Sequence, residues 1–168
     1  MIRSCTPAIA GIALFGNISV LAAEPLPTET FKVLPAALAV EAAQAAMAAC
    51  ISQGYKVSVA IVNRGGDLKA LLVGDGADAL TRSLVPRKAY TSAMQRISTG
   101  ELAKLVAAPG AFNPTLYDRR MVTDPGGVPI KVGNETIGAI GVGGAPGNGD
   151  DDVACANAGL AKIRDRLN

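Results

Sequence analysis

The chain has 168 residues, 49% of them hydrophobic and 18% charged, with a formal net charge of +2 and no histidine. That length supports one domain with a real core, and the near balance of charge argues against a dedicated nucleic-acid binder. The absence of histidine excludes Ser-His-Asp and Cys-His nucleophile systems, histidine-ligated zinc, histidine-ligated haem and the usual general base near neutral pH. Aromatic residues make up only 4%, with no Trp, so stacking on bases or sugars has few platforms.

Taken in chain order, the N-terminus reads as a targeting segment. Arg3 gives a positive start, an apolar stretch runs from Ala8 to Ala23, and Val20-Leu21-Ala22 offers a small-residue cleavage site before Glu24-Pro25. Gly11, Gly16, Asn17 and Ser19 make the stretch too impure to span a bilayer well. Residues 1–23 are therefore expected to be a cleaved secretory signal, against the alternative of an uncleaved anchor. A periplasmic or secreted protein with no stable membrane anchor follows. Cys5 precedes the apolar core, which speaks against a lipoprotein anchor. Residues 24–33 form a polar lead, in which Thr28 to Val33 could pair as a strand, and residues 34–168 form the domain.

Pro35 stands where a helix begins, and 9 of the 14 residues from Ala36 to Ala49 are alanine. Alanine favours helix and adds little bulk, so this helix should pack very close to its neighbours, with Val40, Ala43, Met47 and Cys50 inward. Gly54 is placed to end it. Val57, Val59 and Ile61 alternate in a strand over Tyr55 to Val62, and Asn63-Arg64-Gly65-Gly66-Asp67 turns the chain into a second strand, Leu68 to Val73. A helical region opens at Asp75-Gly76-Ala77-Asp78 and is expected to break at Pro86. A new start near Arg87 and Lys88 would continue it to Met94. Ser98-Thr99-Gly100-Glu101 reads as the entry to a short helix, Leu102 to Val106.

After a loop from Ala107 to Arg119, three strands are expected: Arg120 to Thr123, Val128 to Val132 and Thr136 to Val142. A last helix follows Asp150-Asp151-Asp152, with Val153, Ala156, Leu160, Ile163 and Leu167 as its buried stripe. Hairpins dominate this order. The expected fold class is α+β, a single domain with an antiparallel sheet of about five strands flanked by helices. Cys50 and Cys155 are either a disulfide closing a long loop or two buried thiols.

The run from Ile137 to Gly144 is glycine-rich, but it lacks the βαβ context of a dinucleotide site. It reads as a strand that something approaches closely. Asp150, Asp151 and Asp152 are adjacent, lack the alternate spacing of a calcium loop and are best placed to cap a helix start. No metal site is expected. Arg87 and Lys88 at a helix start would be electrostatically unfavourable, a cost that a bound carboxylate or an acid such as Asp152 would offset.

Several segments together resemble the GlcG/HbpS family: Val59-Ala60-Ile61-Val62-Asn63-Arg64-Gly65-Gly66, Lys88-Ala89-Tyr90-Thr91, Pro125-Gly126-Gly127-Val128-Pro129-Ile130, Ile137 to Gly144 and Asp152 to Gly159. The resemblance covers about Leu34 to Leu167. It implies a small α+β domain that assembles into homo-oligomers, and haem as a cofactor or ligand in some extracellular members. By matched position, the small-molecule ligand site is placed at Arg87, Lys88, Tyr90, Thr91, Gly126, Gly127 and Asp152.

Two functions stay open. One is an exported haem- or tetrapyrrole-binding protein with a role in iron or redox stress. Its axial ligand would be Tyr90, Tyr117, Met94, Met121, a cysteine or Thr91, and Arg87, Lys88 and Arg119 would serve the propionates. The other is a small enzyme or accessory factor of carbon catabolism acting on an organic acid. There Lys88 would hold the substrate carboxylate and Asp152 would act as acid or base. Lys88 is expected at the surface in both.

Overall fold

In the computed structural model, which describes residues 26–167, regular structure begins just after Pro35. The signal-peptide reading of residues 1–23 lies outside the described residues. The chain divides at Thr30 into an N-terminal segment, whose residues 26–30 carry no regular structure, and a unit running from Phe31 to Asn168. The strand expected over Thr28 to Val33 is absent there.

Helix α1 spans Ala36–Ile51, and Gly54 at φ 81° turns the chain back beneath it. Strands β1, Ser58–Asn63, and β2, Leu68–Val73, form the expected hairpin. Helix α2 covers Ala79–Gln95, started by the Asp78 side chain accepting from the Leu80 amide at 2.7 Å. Helix α3, Thr99–Val106, opens with a full capping box in which Ser98 and Glu101 satisfy each other's backbone amides. A single 3₁₀ turn at Pro114–Leu116 precedes β3, Gly127–Val132, and β4, Glu135–Gly143. Helix α4, Asp150–Ile163, ends the fold with a 3₁₀ turn at Arg164–Arg166.

The sheet has four strands in the order β2-β1-β4-β3, every pair antiparallel, rather than about five. The missing strand is Arg120 to Thr123. Its Val122 amide donates to the Thr91 hydroxyl of α2 at 2.9 Å, so the segment is fastened to a helix and β3 stays an edge.

The two central strands are buried on both faces. Val59, Ile61, Ile140 and Val142 point to α1 and α4, whereas Val62 and Ala139 point to Ala89 and Ala93 of α2. Gly141 explains how close α2 comes. A Cβ there would meet the Val85 carbonyl and lie 2.7 Å from the Ala89 amide nitrogen. The glycine-rich strand is thus a bed for a helix backbone. Pressed onto that bed, α2 runs unbroken through Pro86, although proline removes one intrahelical hydrogen bond.

On the opposite face α1 and α4 touch at backbone distance. A Cβ on Gly159 would lie 2.5 Å from the Ala42 carbonyl and 2.8 Å from the Ala46 Cβ. The buried residues of α1 are Ala39, Ala42, Ala43, Ala46 and Cys50, so the inward face is rotated toward the smallest side chains and Val40 lies exposed. The α4 stripe is rotated as well, with Asp152, Cys155, Ala156, Gly159 and Ile163 buried and Val153 and Leu160 only partly so. That rotation brings Cys155 onto Cys50. The two form a disulfide with Cα atoms 5.6 Å apart across a sequence separation of 105.

Candidate functional site

Lys88 sits in the middle of α2, not at a helix start, and it is buried, with 2% of its side chain exposed. Its ammonium reaches two carboxylates: Asp152 Oδ2 at 3.1 Å and Asp124 Oδ2 at 2.7 Å. Burying the ion requires such partners, because an unpaired ammonium in the interior would cost several kcal/mol.

The three adjacent aspartates at the start of α4 diverge. Asp150 is exposed, and Asp151 accepts from the Tyr55 hydroxyl at 3.2 Å. Asp152 turns inward, where its Oδ1 also accepts from the Ala145 amide at 3.0 Å. Gly126 and Gly127 close the site from the sheet. A Cβ on Gly126 would stand 3.0 Å from Lys88 Nζ and 3.0 Å from Asp152 Cβ, and one on Gly127 would meet the Lys88 carbonyl. The Gly127 amide donates to the Thr99 hydroxyl at 3.0 Å. Of the residues placed at a ligand site from sequence, the fold therefore gathers Lys88, Gly126, Gly127 and Asp152 around one ammonium.

Arg87, Tyr90 and Thr91 form a different set. Arg87 donates to the Arg119 carbonyl at 2.8 Å and the Met121 carbonyl at 3.3 Å. Thr91 donates to the Arg87 carbonyl at 2.8 Å while accepting from Val122. The Tyr90 hydroxyl donates to Asp118 at 2.8 Å, and the Arg120 guanidinium lies 4.3 Å above the Tyr90 ring. Together these side chains strap residues 118–122 along α2.

Arg120 donates to both oxygens of Asp118 through Nε and again through Nη2 at 2.7 Å. The side-chain hydrogen bonds from Arg120, followed by its backbone amide, hold the Asp118 carboxyl well below the usual carboxylate range. Burial first, and the bond to Asp118 second, push the Tyr90 phenol upward.

Among the described residues most of the candidate axial ligands are engaged, and Met94 packs against the cluster of Val62, Ala89, Ala93 and Ala139. Cys50 and Cys155 are bonded to each other, Thr91 and Tyr90 are engaged, and the Met121 sulfur accepts from Gln95 at 3.6 Å. Tyr117 is different. It is 78% exposed, and among the described residues its hydroxyl makes no hydrogen bond.

Its ring stacks on Phe112 with centroids 5.2 Å apart, and Leu105 and Leu116 are exposed alongside in sequence. Lys104 and Arg119 are exposed on the same stretch. Tyr117 and Arg119 close the loop expected from Ala107 to Arg119. Asp124 is not among the residues placed at the site from sequence, because one aspartate in a loop gives no signal until the chain folds over Lys88. Two clefts of about 250 and 280 Å³ lie elsewhere, beside Tyr55 and beside Arg166. Both fall below the ~300–1,000 Å³ of pockets that enclose ligands.

These features define a class: a small α+β domain with an antiparallel sheet between helical layers, a buried lysine between two carboxylates and an exposed aromatic segment. The chain belongs to the HbpS-like family, whose model, described as "Haem degrading protein HbpS-like", matches residues 34–161. A crystal structure of HbpS is 37% identical, with a TM-score of 0.74, covering 84% of this chain and 97% of that one. A double mutant of HbpS from Streptomyces reticuli is 36% identical, with a TM-score of 0.72, covering 83% and 97%. A complex of PduOC with heme shares the fold at 24% identity, with a TM-score of 0.71, covering 79% and 96%. No curated protein matches the chain.

Proposed function

We propose that this domain binds haem or a related tetrapyrrole on the exposed segment from the last turn of α3 to β3. The carrying observation is the stacked, solvent-facing pair Phe112 and Tyr117, with Leu105 and Leu116 exposed beside it in sequence and Lys104 and Arg119 exposed on the same stretch. The stacked pair is exposed apolar surface, and exposed apolar patches mark interaction sites. A flat apolar ring covers such a surface, the cations suit two propionates, and the Tyr117 oxygen is a ligand type used for haem iron. Bound haem would supply the iron and its redox chemistry; the chain's residues supply contact, charge and one oxygen. The description of the family as haem-degrading and the heme complex of a protein with the same fold support the same reading.

The segment offers one face, so a second copy of the chain covering the other face is the proposed partner. Export is proposed too, because the Cys50–Cys155 bridge suits an oxidising compartment. A mature protein that retains Met1 would overturn the export reading. Among the described residues no helix is long and apolar enough to cross a membrane.

The test is a haemin titration followed at the Soret band, in wild type and in Tyr117→Phe and Phe112→Ala. A saturable shifted band that changes position in Tyr117→Phe and weakens in Phe112→Ala is expected. A band no different from that of an unrelated protein, or one indifferent to both substitutions, would overturn the proposal.

A further inference from the structure

The two carboxylates on Lys88 are unlike. Asp152 is fixed in the first turn of α4, with 5% of its side chain exposed and its second oxygen held by the Ala145 amide. Asp124 sits on the unpaired stretch leading to β3. Its side chain is 54% exposed, and its one polar contact among the described residues is the Lys88 ammonium. Parting Lys88 from Asp152 leaves buried charge unpaired. Parting it from Asp124 only returns a half-solvated carboxylate to water, provided another anion takes its place.

The backbone beside Nζ is kept bare of side chains. A Cβ on Gly143 would lie 3.5 Å from it, and one on Gly126 3.0 Å.

We propose that Lys88 is a binding site for a small carboxylate, with Asp124 as its resident stand-in: the ligand's carboxylate replaces that of Asp124 on Nζ, and Asp124 turns to solvent. Charge at the ammonium is unchanged by the exchange, and Asp152 stays in place. Because Asp124 is tethered, it competes at high effective concentration and lowers the apparent affinity of the free ligand. Removing it should expose the site's full affinity. The proposal is independent of haem binding, which it places on other residues.

The probe is sodium formate, titrated into wild type, Asp124→Ala and Asp124→Asn while the melting temperature is followed against sodium chloride at equal ionic strength. Formate should raise the melting temperature of both variants saturably, with an apparent affinity at least about tenfold above that of wild type. The response should vanish in Asp124→Ala/Lys88→Met. If that double variant does not fold, ¹³C-lysine spectra of Asp124→Ala decide, since the Lys88 side-chain resonance must move with formate. A response equal to that of chloride, one that survives the loss of Lys88, or an unmoved Lys88 resonance would overturn the site.

Discussion

Replacing Lys88 by methionine keeps a long unbranched stem beside Gly143 but removes the ammonium. Asp152 is then left 3% exposed as a residue, with the Ala145 amide as its remaining polar partner. Breaking a buried pair from one side costs about 3–5 kcal/mol, chiefly through the stranded charge. At roughly 2–4 °C per kcal/mol for a domain near this size, the melting temperature should fall by about 6–20 °C.

Asp124→Ala removes a partner that is half in water, and such pairs contribute about 0–1 kcal/mol. Lys88→Met/Asp152→Asn should recover much of the loss, since the amide oxygen can still accept from Ala145 and no charge is buried. Urea unfolding followed by circular dichroism at neutral pH measures all four proteins. If Lys88→Met lies within about 1 kcal/mol of wild type, Asp152 does not depend on Lys88 and the assignment of a buried ion pair fails. Equal losses in Lys88→Met and Asp124→Ala would refute the asymmetry between the two carboxylates.

Gly141→Ala should push α2 off the sheet and cost about 1–3 kcal/mol in urea unfolding, whereas full stability would mean that α2 is not seated on the β4 backbone. Cys50→Ala/Cys155→Ala should lose about 2–4 kcal/mol, and the wild-type chain under non-reducing conditions should weigh two hydrogens less than its reduced form. Asp118 has a depressed folded-state pKa, so its stabilising effect is present above the ordinary carboxylate value near 4 and fades as the pH falls below it. The gap in urea midpoint between wild type and Asp118→Asn should therefore be wide at pH 7 and shrink in acid; a gap that widens in acid would contradict the strap geometry. Tyrosine absorbance titration should show the Tyr90 phenol ionising above its usual value, and that shift should diminish in Asp118→Asn.

Much of this fold is written locally. The Ser98–Glu101 capping box, the Asn63–Asp67 turn and the alternation through Val57, Val59 and Ile61 each depend on residues a few positions apart; the box and the turn form where their patterns predict, and the strand forms with its start at Ser58 rather than Tyr55. The alanine-rich stretch does become a tightly packed helix. Pro86 was misleading because its local cost is outweighed by the seat that Gly141 gives α2, a residue distant in sequence. Arg120 to Thr123 has strand-like composition, yet Thr91 and Arg87 take its backbone groups before any strand can.

The site divides in the same way. Lys88 and Asp152 are recognisable as a candidate pair because a cation at an expected helix start calls for an anion, and because both fall in segments that resemble the family. Which role Arg87, Tyr90 and Thr91 play is invisible locally, since hydrogen bonds to a loop some thirty residues on leave no periodic trace. The sequence by itself determined α1, α3, α4, the hairpin and the α+β class, because propensity, capping and alternation act over a few neighbouring residues; the family was legible only as a resemblance carried by five motifs in order. Only the tertiary structure decided that the sheet stops at four strands, that Cys50 meets Cys155, that Lys88 is buried and that Asp124 joins it. Those outcomes depend on which distant groups compete for each backbone amide and each buried charge, and that competition is settled only when the layers pack.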